Sequence, residues 1–376
     1  MEWIATCPHE TVDTLVLELH ALGIQQMEKL HRGIRFNCDL ETAYIAHLQL
    51  RTASRIQRIV AQFPVSDLKS IETGLKSIQW TEWLRSHRPF TVRPSLSDQE
   101  AIKLNEQNVI NCVVESIHKS PFEKSPPKFD PEHENPITIV LFIRGGSCVL
   151  GLDTAGRALH KRGWRTNGHP AVLKETLAAS ILMLAGYTGE DPLLDPMCGS
   201  GTVVIEAAYM ALNKAPLIHR GKDDFALEHL AGFDRPLWRK VSDRLRAQKR
   251  AELPAPIFAC DINPNYLEVA RASALRARVE KYLTFSVCSI QQQQPPAEKG
   301  LLIANLPYGE RIGGGIIDKL YREIGIVIKE RFSHWKIALM VPTEAPIHLL
   351  GLKPNQEYSL LNGALPVKLL IRNPVS

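Results

Sequence analysis

The stretch Ala304-Asn305-Leu306-Pro307-Tyr308-Gly309-Glu310-Arg311 follows the apolar run Leu301-Leu302-Ile303. No core needs a strand to end in that order of residues. An exocyclic amine on a nucleobase does need it. Its lone pair is conjugated with the ring, so an enzyme must accept hydrogen bonds from the N–H groups and aim the lone pair at an electrophile. The side-chain oxygen of Asn305 and the carbonyl of Leu306 can accept those bonds. Pro307 fixes φ and holds that carbonyl outward. Tyr308 can stack on the base, and Gly309 permits the next turn. Catalysis by such a set is positioning and desolvation. Attack at C5 of a pyrimidine would require a cysteine nucleophile, and none lies in or beside this stretch.

A second group of chemical residues lies upstream in Leu193-Leu194-Asp195-Pro196-Met197-Cys198-Gly199-Ser200-Gly201-Thr202. Gly199 and Gly201 allow a tight turn and close approach of backbone to a ligand, and Thr202 opens a helix whose N–H groups face that ligand. There is no Walker lysine, and Asp195 would repel a pyrophosphate. An acid there suits a cation, and S-adenosylmethionine carries both an ammonium and a sulfonium. Asp261, at the end of Ala259-Cys260-Asp261-Ile262-Asn263, can accept both ribose hydroxyls, or alternatively cap the helix that follows. It lies 60 residues after Gly201, against about 20 in a dinucleotide fold, because a basic segment intervenes. Cys198 is expected to be structural.

These residues need a scaffold. From residue 165 onward strands and helices alternate: Pro192–Pro196, Pro256–Asp261, Tyr282–Val287, Gly300–Pro307, Lys336–Pro342 and a final antiparallel pair, with helices over 201–212, 265–278 and 316–331. Alternation of this kind predicts an α/β fold with a mostly parallel, doubly wound, Rossmann-like sheet and an antiparallel last strand. If Leu193-Leu194 lies in the first strand, the run ending at Asn305 is the fourth and sits beside it. Upstream, residues 1–60 and 61–158 mix strands and helices. They include helices over 10–22, 40–50 and 98–116, and a hairpin turning at Gly145-Gly146.

The chain has 376 residues and a formal net charge of +5. The segment from Lys214 to Arg250 alone holds ten basic and five acidic residues, an excess equal to that of the whole chain. It lies within a basic insertion over 213–256. It can track a phosphate backbone or be a solvated helix face. Seven unclustered cysteines, with no CxxC and no zinc spacing, fit reduced thiols and no metal. No apolar run reaches a membrane span, so no membrane partner and a cytoplasmic location are expected. Oligomeric state is not set by these residues.

Taken in order, DPMCGSGT, KETLAA, ACDIN and NLPYGERIG resemble the THUMP-domain RNA methyltransferases, in particular the guanine-N2 enzymes of 23S ribosomal RNA. TASRIQRIV, IQWTEW, LHKRGWR and APLIHRGK extend the resemblance over nearly the whole chain. It implies a ferredoxin-like region, a THUMP domain and a class I methyltransferase domain, with S-adenosylmethionine as donor and guanine N2 in RNA as acceptor. By that resemblance Asn305, Pro307 and Tyr308 are catalytic, with Leu306 offering its carbonyl where the ribosomal enzymes usually carry proline. Asp195 and Asp261 hold the cofactor, joined by Cys198, Gly199, Ser200, Gly201, Thr202, Ile262, Asn305 and, at the opening of the KETLAA helix, Glu175 and Thr176. Ser289 stands where the family usually has an adenine-contacting acid. Candidate RNA contacts are Arg144, Lys161, Arg162, Arg165, Arg220, Lys222 and Arg311. The alternatives are a transfer-RNA guanine-N2 enzyme, an adenine-N6 DNA or glutamine-N5 protein methyltransferase, and an RNA-binding protein with a vestigial methyltransferase domain.

Overall fold

The computed structural model describes residues 1–96, 104–166, 173–221, 223–307 and 314–375. The chain builds two seven-stranded sheets. The first contains β1 (Glu2–Thr6), β2 (Met27–Leu30), β3 (Gly33–Asn37), β4 (Arg55–Pro64), β5 (Phe90–Leu96), β6 (Ile137–Arg144) and β7 (Ser147–Asp153), in the order β2-β3-β1-β4-β7-β6-β5. The long strand β4 pairs with β1 on one edge and with β7 on the other, so both upstream units share one sheet. A bulge between Ile59 and Ala61 lets it serve both partners.

Helices α1 (Val12–Ala21) and α2 (Leu40–Gln49) cover the β1 half, and α3 (Leu68–Lys76) and α4 (Glu106–His118) the β5 half. Val109, Val113 and Ile117, spaced by four, form the buried stripe of α4 and join the same core as Ile71 and Leu75 of α3. Asn105 starts α4 by accepting the N–H groups of Gln107 and Asn108. The first part of the helix expected over 98–116 lies outside the described residues. β5 and β6 are parallel because α4 crosses between them.

The second sheet contains β8 (Leu193–Asp195), β9 (Ile257–Asp261), β10 (Leu283–Val287), β11 (Leu301–Asn305), β12 (Lys336–Pro342), β13 (Gln356–Asn362) and β14 (Leu365–Arg372). Its order is β10-β9-β8-β11-β12-β14-β13, parallel except where β14 pairs with β12 and β13. Helices α5 (Glu175–Leu184), α6 (Thr202–Ala211) and α8 (Pro264–Arg276) pack on one face and α9 (Gly314–Arg331) on the other. Alternation along β11 divides its side chains between those faces: Leu301 and Ile303 toward the first, Leu302 and Ala304 toward the second.

The basic segment, with helix α7 (Arg235–Ala247), returns to the first sheet rather than extending the second. Phe225, Leu227, Val241 and Leu245 are buried in one cluster with Leu15, Ile34 and Tyr44. The Tyr44 hydroxyl accepts the N–H of Asp234, whose carboxylate caps α7 through Leu237. Trp238 meets Tyr44 edge-on at 5.2 Å.

Candidate active site

β8, β9 and β11 are neighbours, and their carboxyl ends bring Asp195, Asp261 and Asn305 to one rim of the sheet. The turn after β8 is tied to β9. The N–H of Cys198 donates to Cys260 O, and that of Gly199 to the Asp261 carboxylate, each at 2.9 Å. Gly199 and Gly201 have φ of 52° and 76°, in the left-handed region that favours glycine. A Cβ on Gly201 would also lie 3.0 Å from that of Ala270 in α8. Thr202 then opens α6, with the Ser200 and Thr202 hydroxyls 3.3 Å apart.

Asp195 is buried and accepts one N–H, from Met197 at 3.1 Å. Burial pushes its carboxyl up to about 8; the Met197 N–H opposes the rise and the nearby Asp261 charge adds to it. No cation among the described residues pairs with it. Asp261 also accepts the Asn263 N–H at 2.9 Å, while Asn263, not Asp261, caps α8. Burial raises the Cys198 thiol well above its ordinary range, with Asp195 and Asp261 adding to the rise, so it is no nucleophile.

At the end of β11, Leu306 is held twice. Its N–H donates to Met340 O at 2.9 Å, and its side chain is buried with Tyr321, Ile324 and Leu339. Asn305 is half-buried, yet its Oδ1 is fully covered and has no hydrogen-bond partner among the described residues. An acceptor so placed costs roughly 1–3 kcal/mol unless a donor reaches it. Pro307 follows; Tyr308 and Arg311 lie outside the described residues, as does Lys222.

Beyond Asp261, Ile262 is 71 % exposed and Val287, at the end of β10, is 61 % exposed. Two exposed apolar side chains next to a carboxylate suit a flat ring such as adenine. Sequence reasoning named Ile262 and missed Val287, whose signal was its place at the end of the third strand. Ser289 is half-buried just after it.

Other candidates are placed elsewhere. Glu175 is buried and paired with Arg165 at 3.0 Å, and Thr176 lines a cleft between the two sheets. One expected RNA contact is corrected by the structure, and two others make contacts within the chain. Arg162 is wholly buried. It pairs with Glu206 of α6 at 3.3 Å and donates to Leu159 O and Arg51 O. Arg165 is spent on Glu175 and Leu173 O. Arg220 lies over the Phe225 ring and donates to Ala155 O and Arg157 O. Much of the basic segment is likewise committed: Arg235, Arg244, Arg246 and Arg250 each meet a carboxylate. Its charge joins parts of one molecule. Arg144 and Lys161 remain exposed.

A parallel sheet ordered third, second, first, fourth, fifth, with a final antiparallel pair, and with its polar residues gathered at the strand ends, is a class I methyltransferase fold. The chain belongs to the RMKL-like, methyltransferase domain family, which residues 162–371 match. Residues 2–57 match the RlmL ferredoxin-like domain. Over 375 residues the chain is 34% identical to the ribosomal RNA large subunit methyltransferase K/L of Vibrio campbellii, covering 97% of this chain and 52% of that protein. It thus spans about half the length of the curated relatives it matches. Among solved structures it is similar to a putative methyltransferase complexed with SAH, at TM-score 0.88 and 26% identity over 100% of this chain and 98% of the other. A possible methylase from Clostridium difficile 630 is similar at TM-score 0.88 and 28% identity, with the same coverage.

Proposed function

We propose that this chain methylates the exocyclic N2 amine of a guanine in 23S ribosomal RNA, with S-adenosylmethionine as donor. The observation that carries this reading is the covered, unpartnered Oδ1 of Asn305, on the same rim as Asp195 and Asp261. The residues fit the cofactor: Asp195 offers a buried carboxylate to an ammonium, Asp261 offers acceptors to a ribose, and Ile262 and Val287 offer apolar surface to adenine. When bound, the cofactor supplies a methyl group on a positively charged sulfur. The protein's part is to accept the guanine N–H groups at Asn305 Oδ1 and the Leu306 carbonyl, so that the amine lone pair faces the methyl. Tyr308 stacks on the base. The solved relative that binds SAH and the ribosomal RNA enzymes of similar sequence support this reading.

Residues 1–60 and 61–158 are proposed as the ferredoxin-like and THUMP units of an RNA-gripping half, and 165–376 as the methyltransferase half. No described helix is long and apolar enough to cross a membrane, in keeping with a cytoplasmic enzyme. The test uses labelled S-adenosylmethionine with separate pools of unmodified ribosomal and transfer RNA, followed to nucleosides by mass spectrometry. N2-methylguanosine in ribosomal RNA, lost in Asn305→Ala, is the expected result. The same product only in transfer RNA would move the substrate, and no RNA product from a protein that binds cofactor would overturn the proposal.

A further inference from the structure

Between the two sheets lies a cleft of about 570 Å³. One wall comes from the first sheet and its loops, with Thr6, Arg32 and Arg55; the other from the second, with Lys174 and Thr176 at the start of α5 and Leu361 near the β13–β14 turn. His160, in the segment joining the sheets, also lines it. Among the described residues no carboxylate lines this cleft, whereas three cationic side chains, one histidine and seven serines and threonines do. Arg55 is committed to Asp153 and Gly156 O. Arg32 and Lys174 are exposed, and no described carboxylate pairs with either.

Among the described residues, Arg32 and Lys174 are therefore the two cations left unpaired at the cleft. Burial pushes the His160 imidazole down to about 4, and Lys174, Arg162, Lys161 and Arg165 all press in the same direction. The amino-terminal turn of α5 adds the positive end of a ten-residue helix. Fixed positive charge edged with hydroxyl donors suits phosphate oxygens, and unlike a base-reading surface it tolerates any sequence.

We infer that this cleft holds the phosphodiester backbone of the RNA, with Arg32 on one wall and Lys174 on the other bracketing the strand as it passes between the sheets. This rests on the RNA reading above and deepens it. A strand lying there touches both halves at once, so gripping and presenting the target become one event. Three of the five basic residues of α7, which the sequence suggested for that task, are paired with Asp223, Glu41 and Asp243.

The experiment measures binding of the full chain to an unmodified large-subunit ribosomal RNA transcript across a potassium chloride series. It compares wild type with Arg32→Gln, Lys174→Gln, the double variant, Arg32→Lys, and Lys69→Gln on the remote helix α3 as a control for loss of charge. S-adenosylhomocysteine affinity is measured alongside. The double variant should weaken RNA binding about tenfold or more near 0.1 M salt and flatten the salt slope by about 2, roughly one per lost phosphate contact. Arg32→Lys, Lys69→Gln and the cofactor affinities should match wild type. RNA affinity and slope unchanged in the double variant, with wild type still methylating RNA, would overturn the cleft and leave the proposed function standing. A wild-type chain that neither binds nor methylates RNA would overturn both.

Discussion

Two clusters of buried charge are finished differently. In the joint between the first sheet and the second, Arg162 and Glu206 are both fully buried and opposite in sign, so the pair is neutral overall, although Glu206 Oε2 has no hydrogen-bond partner among the described residues. Arg162 adds two carbonyls, and Arg51 close by donates to Lys214 O. At the rim of the second sheet, Asp195 and Asp261 face each other's charge with backbone N–H groups alone. A cluster of balanced charge holds parts of a protein in register. A cluster with excess charge of one sign, beside an unpartnered acceptor, is built to receive something.

The joint should break most expensively. Glu206→Ala leaves a guanidinium buried without its counter-charge, a loss of about 3–5 kcal/mol, read from the urea unfolding midpoint. Replacing both partners with Arg162→Met and Glu206→Met should recover most of it. If Glu206→Ala shifts the midpoint no more than a surface substitution does, the cluster is not a joint.

At the rim the effect should appear in rate. Asn305→Ala should lower kcat by about 10²–10³-fold, as loss of one preorganised polar group at a reacting centre does, without lowering the unfolding midpoint, since the unpartnered acceptor goes with it. Equal losses of activity and stability would make Asn305 a structural residue.

Asp195 gives a pH signature. Its carboxyl is protonated below about 8, and a cationic ligand binds the ionised form. Cofactor affinity should therefore rise with pH through the neutral range, and fall again once the ligand's own ammonium loses its proton. Calorimetry in buffers of different ionisation enthalpy should find net proton release on cofactor binding at pH 7. Asp195→Asn should abolish the dependence along with tight binding. A flat profile in wild type would mean that Asp195 is ionised before the ligand arrives.

The smallest effect belongs to the edge of the joint. Asp234→Ala removes the cap of α7 and should cost about 1 kcal/mol, seen as faster amide exchange in α7 and not in α8.

The rim was legible from the residues because its signals are local. A strand, a turn rich in glycine and a helix start are adjacent in sequence, and the ends of parallel strands converge by topology. The joint was not. Arg162 in LHKRGWR looked like an exposed cation because the sequence carries no sign that Glu206, 44 residues on, waits on the inner side of α6. The contacts of Arg220 with Phe225 and Arg157 O were not visible either, because they form only when the segment folds back. The strands expected within residues 1–60 were not placed one by one; β1 and β2, of five and four residues, owe their state to pairing with β3 and, for β1, with β4. The antiparallel hairpin of β13 and β14 was visible from its turn.

The folding back of the basic segment sets an order in time. The core beneath α1 and α2 includes Phe225, Leu227, Val241 and Leu245, so no chain shorter than those residues can close it. As the ribosome delivers the protein, the first sheet gains its strands by Asp153 and still shows an apolar face for nearly a hundred residues more. The first sheet is therefore finished only after the glycine turn that follows β8 has emerged.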